Sequence, residues 1–336
     1  MKTDFLAIGD IVTEPFIRLK EAHITCKINS EECEICMKWG DKIPYDYFVL
    51  VPAVGNASNA AVSAARLGLT SSLRAYLGKD RYGEQSLEVL KNEKIDTSLM
   101  VEDPTRPSNY HYVLWYETER TILVKHEEYD YAVPTDAEVP EADAPKWIYL
   151  SSLAANSLPY HLALAQWLKK FPDAKLAFQP GTFQMKLGVE VLKEIYARTD
   201  IFFCNKEEAG RILGNEDLSD IKKLLTGIQA LGPKIVVITD DRKGAYAVSE
   251  KGDFWHIPMY PDERAPYERT GAGDAFASSV TAALALGKPL EEALLWGPIN
   301  AMSVVQEVGA QKGLLSREKL ERFLKDAPTE YALKKL

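Results

Sequence analysis

Cysteine is scarce in this chain, with four in 336 residues, and at this length that number does not suggest a disulfide scaffold. Cys33 and Cys36 form a CxxC with Cys26 just upstream, but no second CxxC follows, and the nearest histidine, His23, lacks finger-like spacing. On a strand, the odd separation turns Cys33 and Cys36 to opposite faces, which does not suit one metal. The expectation is a lid or edge strand carrying incidental cysteines. Positive charge is also short. Forty Lys and Arg against 49 Asp and Glu leave a net charge of −9, which argues against a nucleic-acid partner. The opening MKTDFLAIGD places Asp4 before a short strand-like run, which fits neither a signal peptide nor a membrane span. A cytoplasmic protein with no membrane partner is expected. Repeats and low-complexity tracts are absent.

What is present is an ordinary globular composition, 46% hydrophobic and 26% charged, with short apolar runs alternating with helical segments. Strands are expected at 5–8, 71–77, 146–150, 175–178, 201–204 and 234–239. Helices are expected at 57–67, 83–92, 160–170, 186–198, 206–213 and 217–230. Buried strands separated by helices of this length imply an α/β fold with a mostly parallel sheet covered on both faces. At this size the whole chain, 1–336, is read as one domain.

Two stretches, about 15–52 and 105–130, break the rhythm, being rich in β-branched and aromatic residues. Residues 111–116 followed by 121–124 across Glu117-Thr118-Glu119-Arg120 read as a hairpin. Both stretches together suggest a small β-sheet projecting as a lid or as the surface of a homodimer. The end of the chain, from Tyr331, reads as a basic tail.

The richest block is Arg269-Thr270-Gly271-Ala272-Gly273-Asp274, at the mouth of an Ala-rich helix. Its glycines let a turn approach a ligand, and the amides of Gly271, Ala272 and Gly273 fall at a helix N-terminus, where unpaired N–H groups and the dipole favour an anion. A carboxylate beside an anion site binds anions poorly. Asp274 instead suits a base that takes the proton from a hydroxyl attacking a phosphate. An ordinary Gly-rich turn with a first-turn Asp is the plain alternative, and company elsewhere in the chain decides against it.

That company comes in three further blocks: Gly55-Asn56-Ala57-Ser58-Asn59 with Gly78-Lys79-Asp80 behind it, Asn205-Lys206-Glu207-Glu208, and Thr239-Asp240-Asp241-Arg242-Lys243-Gly244. In order with the GAGD block, they make the chain resemble the ribokinase/PfkB family of sugar and nucleoside kinases from about residue 5 to 315. The resemblance implies a ribokinase-like three-layer α/β/α sandwich with a small β-sheet lid, and ATP and Mg²⁺ as cofactors, with a monovalent cation as a further candidate. It also implies a small-molecule sugar or nucleoside acceptor. Residue by residue, it assigns Asp274 and the Gly271–Gly273 turn to catalysis and Gly55, Asn56 and Asn59 to the acceptor; Glu14 and Gln179 stand at acceptor positions, and Arg269 adds a cation beside the phosphate site as a further catalytic candidate. Thr239, Gly244, Thr270 and Asn300 go to the nucleotide, and Asn205 and Glu208 to Mg²⁺, largely through water.

The residues themselves agree. Asn56 and Asn59 offer donors and acceptors that suit vicinal hydroxyls, although Asn56 would equally cap the helix starting near Ala57. Asn205 and Glu208 also have the spacing of a capping box, and both roles can hold together. Pro298, Asn300 and Gly309-Ala310 resemble segments flanking the adenine. Tyr110, Tyr112, Trp115 and Phe183 are candidates for an apolar wall against a nucleoside base.

Four departures bear on preference. Glu14 stands where the family often has Asp, Gln179 where sugar kinases often show Asp, Asp241 where Gly is usual, and Glu268-Arg269 in place of the commoner Asp-Thr. Two other classes are weighed. A nicotinamide-dependent oxidoreductase lacks the third glycine at fingerprint spacing, and no Walker A sequence is present. A non-catalytic binding protein on a kinase fold is opposed by the retained Asp274 and its turn.

Overall fold

In the strand Phe5–Ile8, Phe5 and Ala7 turn to one side and Leu6 and Ile8 to the other, and all four are buried. A strand with no polar face must sit in the middle of a sheet covered twice. The computed structural model, which describes residues 3–26, 33–117 and 119–336, places it there. Nine strands form one sheet in the order Lys334–Lys335, Phe254–Ile257, Ala245–Val248, Ile235–Thr239, Ile201–Asn205, Lys175–Phe178, Trp147–Leu150, Phe5–Ile8, Ser71–Arg74. The last six in that order are mutually parallel and the first three run antiparallel at one edge.

Period-2 alternation sorts the core into two layers. Phe5, Ala7, Tyr149, Ala177, Phe203 and Val237 face the helices Asn56–Arg66, Ala272–Ala285 and Leu290–Val304. Leu6, Ile8, Leu150, Phe178, Phe202 and Ile238 face Leu158–Leu168, Val189–Arg198 and Ile221–Gln229. The architecture is the expected α/β/α sandwich. Asn56–Arg66 packs closely on Ala272–Ala285 because its buried face is Ala57, Ala60, Ala61 and Ala64. Every parallel strand points its carboxyl end at the same rim, which gathers the loops after residues 8, 178, 205 and 239.

A second, four-stranded sheet stands over that rim, in the order Glu119–Leu123, Tyr112–Tyr116, Val12–Leu19, Tyr45–Val54. Its inner face buries Phe16, Val113 and Trp115. Cross-strand pairing sets Phe48 and Leu114 beside Ile17, and Leu123 beside Tyr112, on the other face. There Phe48, Tyr112 and Leu123 are about half exposed.

The structure revises several expectations. The hairpin turn is shorter than expected: Glu119 and Arg120 already pair with Tyr116 and Trp115, and Glu117 takes the left-handed backbone at φ +54°. Thr118 lies outside the described residues. The 186–198 helix is two, Thr182–Leu187 and Val189–Arg198, broken at Gly188 with φ +86°. The basic tail supplies the edge strand Lys334–Lys335. Among the cysteines expected to be incidental, Cys26 and Cys33 form a disulfide, because the antiparallel pair His23–Cys26 and Cys33–Cys36 sets them directly opposite one another. Cys36 and Cys204 are free thiols. Among the described residues no helix is long and apolar enough to cross a membrane.

Candidate active site

The helix Ala272–Ala285 begins at Gly271, whose φ of +83° and ψ near 0° put it in the left-handed region. A side chain there would be strained, and its Cβ would come 2.3 Å from that of Ala310. Among the described residues no hydrogen bond occupies the amides of Gly271, Gly273 and Asp274, and the Ala272 amide makes only a long 3.5 Å contact to the Arg269 carbonyl. Gly273 is exposed bare backbone. The turn is thus a set of donors at the positive end of a 14-residue helix, suited to holding an anion.

Asp274 sits in the first turn with its carboxylate held from both sides. Oδ2 accepts from Asn59 Nδ2 at 2.8 Å and Oδ1 from Gln179 Nε2 at 3.3 Å. Each partner is itself fixed. Gln311 Nε2 donates to Asn59 Oδ1 at 3.0 Å and to the Ala53 carbonyl at 2.6 Å, and the Tyr149 hydroxyl donates to Gln179 Oε1. Loss of hydration pushes the Asp274 carboxyl up to about 6, with the charges of Glu14 and Glu208 adding to the rise and the Asn59 and Gln179 bonds opposing it. A carboxylate with that value is still mostly ionised near neutrality and is basic enough to accept a proton.

These groups open onto a cavity of about 870 Å³. Glu14, Gly55, Asn56, Asn59 and Gln179 line it around Asp274, so all five residues assigned to the acceptor are brought together. Thr239, Gly244, Thr270, Arg269 and the Gly271–Gly273 turn line it too. Gly55 has φ +112°, and a Cβ there would meet the Asp10 carbonyl at 2.7 Å. Asn56 is the first residue of its helix, after Gly55 at the N-cap position, and lines the cavity. Thr270 turns its hydroxyl to Glu268 Oε1 at 2.6 Å rather than outward.

Asn205 and Glu208 both reach the cavity and form a reciprocal capping box: the Glu208 amide donates to Asn205 Oδ1 and the Asn205 amide to Glu208 Oε2, each at 2.8 Å. Burial pushes the Glu208 carboxyl up. Among the described residues no group of three or more His, Cys, Asp or Glu could hold a metal, so an ion here would depend on water and ligand oxygens for most of its shell. Glu268 is buried. Its Oε1 accepts from the Thr270 amide at 2.8 Å, and the Gly309 amide also acts on the carboxylate, whereas Oε2 makes no hydrogen bond of ordinary geometry among the described residues.

Asn300 is not brought to the cavity. It is fully buried, donates to Ser279 Oγ at 2.7 Å and accepts from the Leu315 amide at 2.9 Å, tying the Leu290–Val304 helix to its neighbours. The face of that helix on the cavity is Pro298, Ala301, Met302 and Val305, an i, i+3, i+4, i+7 stripe of apolar groups. Tyr110, Tyr112, Trp115 and Phe183 do not line the cavity either. Trp115 is buried inside the lid, and Phe183 packs on the edge of His126. Gln311 and Tyr149 were not expected from the sequence. Gln311 directly follows the Gly309-Ala310 pair, which is the one signal that pointed its way.

The sequence matches the model of the pfkB family carbohydrate kinases over residues 40–317. It is 27% identical over 297 residues to the ribokinase of Bacillus subtilis, covering 85% of this chain and 92% of that one. It is 25% identical over 279 residues to a nucleoside kinase of Methanothermobacter thermautotrophicus, covering 80% and 84%. In fold it is similar to the structure of Arabidopsis thaliana ribokinase complexed with ribose and ATP, with a TM-score of 0.78, 19% identity and coverage of 97% and 99%.

Proposed function

Since the chain belongs to the PfkB family of carbohydrate kinases, we propose that it transfers the γ-phosphoryl group of ATP to a hydroxymethyl group of a sugar, with Asp274 as general base. The observation that carries this is the placement of the Asp274 carboxylate on the cavity wall, beside the free amides of the turn that begins its own helix. The acceptor hydroxyl gives its proton to Asp274 as its oxygen attacks phosphorus. The amides of Gly271 and Gly273 and the Arg269 guanidinium face the charge that develops on the transferring group. Thr239 and Gly244 hold the nucleotide phosphates, and Pro298, Ala301 and Met302 offer the adenine an apolar wall. Glu14, Gly55, Asn56, Asn59 and Gln179 take the acceptor.

Asn205 and Glu208 would hold Mg²⁺ through water. When bound, the ion supplies charge neutralisation on the phosphates. The buried Glu268 Oε2, without a hydrogen bond among the described residues, fits a monovalent cation. The two lid segments, about 15–52 and 105–130, act with the body as one catalytic unit and exclude water that would otherwise compete as acceptor. A second copy covering the apolar outer face of the lid, around Ile17, Phe48, Tyr112 and Leu123, gives a homodimer by self-complementary contact. The enzyme works in the cytoplasm, on a sugar rather than a nucleoside. The nucleoside alternative is weakened because none of the four aromatics suited to a base wall lines the cavity.

The test is Mg²⁺-dependent ADP release from ATP with pentoses, hexoses, keto-acid sugars and nucleosides, with Asp274→Asn as control. Release with one acceptor class, lost in the variant, is expected. Unchanged turnover in Asp274→Asn would remove the base. ATP binding without release for any acceptor would favour a binding protein on this fold.

A further inference from the structure

Among the described residues, the cavity around Asp274 is walled by carboxylates and amides, those of Glu14, Asn56, Asn59 and Gln179. Glu14 faces it, and Glu14 and Asp274 are close enough for one charge to raise the other's proton affinity. Three guanidinium groups, those of Arg120, Arg242 and Arg269, line the cavity, and Arg242 and Arg269 both lie near Asp262. Arg269 is paired to Glu119 and Asp241, and Arg120 lies near Glu268, at the anion turn.

Behind Glu14 is a buried set that the proposed mechanism does not use. His111 Nδ1 lies 3.7 Å from Glu14 Oε1, and His126 Nδ1 lies 2.9 Å from Asp10 Oδ2. The two rings meet edge to face at 4.8 Å. The Tyr131 hydroxyl donates to Asp10 Oδ1 at 3.2 Å. His111, Glu14 and Asp10 are each more than nine-tenths buried, and among the described residues His111 Nε2 has no hydrogen-bond partner. The backbone fixes the arrangement: the His111 amide donates to the Thr13 carbonyl and the Thr13 amide to that of Asn109, both at 3.1 Å, so the segment entering the lid is bonded to the residue beside Glu14.

Resting on the kinase reading, we propose that the acceptor carries no acidic group at the end remote from its phosphorylated hydroxyl, and that His111 is the positioning residue that enforces this by holding Glu14. Each imidazole lies beside a carboxylate of the protein, so an acceptor carboxylate or phosphate would meet Glu14 and Asp274 with no Lys or Arg facing it among the described residues. A neutral polyol loses nothing there. Its hydroxyls donate to the Glu14 carboxylate and exchange bonds with the amides of Asn56 and Asn59.

The experiment measures kcat/KM on the intact protein for acceptor pairs that share a carbon skeleton with and without a carboxylate, such as ribose with ribonate and glucose with gluconate. The neutral member is expected to be turned over and the acid to be about 100-fold poorer or worse. His111→Leu is expected to raise acceptor KM about tenfold more than the KM for ATP, and His111→Gln, which keeps a donor toward Glu14, to recover most of that loss. An acid used within about threefold of its neutral partner overturns the proposal, as does a His111→Leu variant whose two KM values rise together. If no acceptor supports ADP release, the kinase reading fails on its own. Calorimetric binding of the same pairs then decides the charge preference: binding of the neutral member alone sustains it, and binding of the acid, or of neither, overturns it.

Discussion

Arg269 and Asp241, two of the positions where the sequence departs from the family pattern, are paired with each other, Nη1 to Oδ1, at 3.3 Å. Each departure taken singly looks like a fault: a cation inside the catalytic signature and an anion in the phosphate loop. Together they neutralise, with Glu119 of the lid hairpin as a second partner for Arg269 at 3.2 Å.

On the proposed mechanism, the pair competes with the phosphates for Arg269. Asp241→Asn is expected to lower the KM for ATP about two- to fivefold, the modest range of a pair exposed on one side. Asp241→Gly should do at least as much, because it also relieves the φ of +42°. Steady-state kinetics at saturating acceptor check this, and a rise in KM in both variants would falsify it.

The raised proton affinity of Asp274 fixes a pH profile. A base with a value of about 6 makes kcat/KM fall about tenfold per pH unit below that point and level off above it. A pH series from 5 to 8 in buffers of constant ionic strength reads it, and a flat profile through 6 would count against Asp274.

The same shift has a consequence for stability. The folded value lies above the ordinary aspartate value of 3.8, so the folded state holds the proton more tightly. The favourable contribution is complete below about 3.8 and is lost as pH rises through about 6. At pH 8 the chain therefore carries a desolvated charge, and Asp274→Asn is expected to gain about 2 kcal/mol there and almost nothing at pH 4. Chemical denaturation at the two pH values makes the comparison.

Asn300 separates a structural role from a binding one. Asn300→Ala strands the Leu315 amide and Ser279 hydroxyl inside the protein, and about 1–3 kcal/mol of stability should go with them. The KM for ATP at 15 °C should hardly change. A large nucleotide effect without loss of stability would return Asn300 to the binding site.

How much the sequence revealed depended on how each residue works. The turn at Gly271 was legible because a tight turn at a helix mouth calls for glycine, and its φ is +83°. Asn59 and Gln179 stood out by their motif positions, and the structure sets both against the Asp274 carboxylate. Gln311 and Tyr149 act one residue further back, through Asn59 and Gln179, and the Gln311 contact spans 252 positions. No local pattern announces such a residue. Asn300 was misread because polar side chains draw attention on a helix whose cavity face is apolar. The Cys26–Cys33 bridge needed the hairpin register, which seven residues of separation do not show by themselves. The sandwich itself was plain from the alternation of buried strands and helices, since that pattern admits few other folds.

The short final strand has a consequence beyond the site. Without Lys334–Lys335, the strand Phe254–Ile257 would present a row of unpaired amides and carbonyls beside Trp255, over which the Lys335 ammonium now lies at 5.2 Å. Such a border is a template on which another chain can lay itself down. Two lysines spend the border's free valence on a piece too brief and too charged to be extended in turn. A chain trimmed by its last three residues would be expected to keep its chemistry and lose its solubility, filling the sheet from outside.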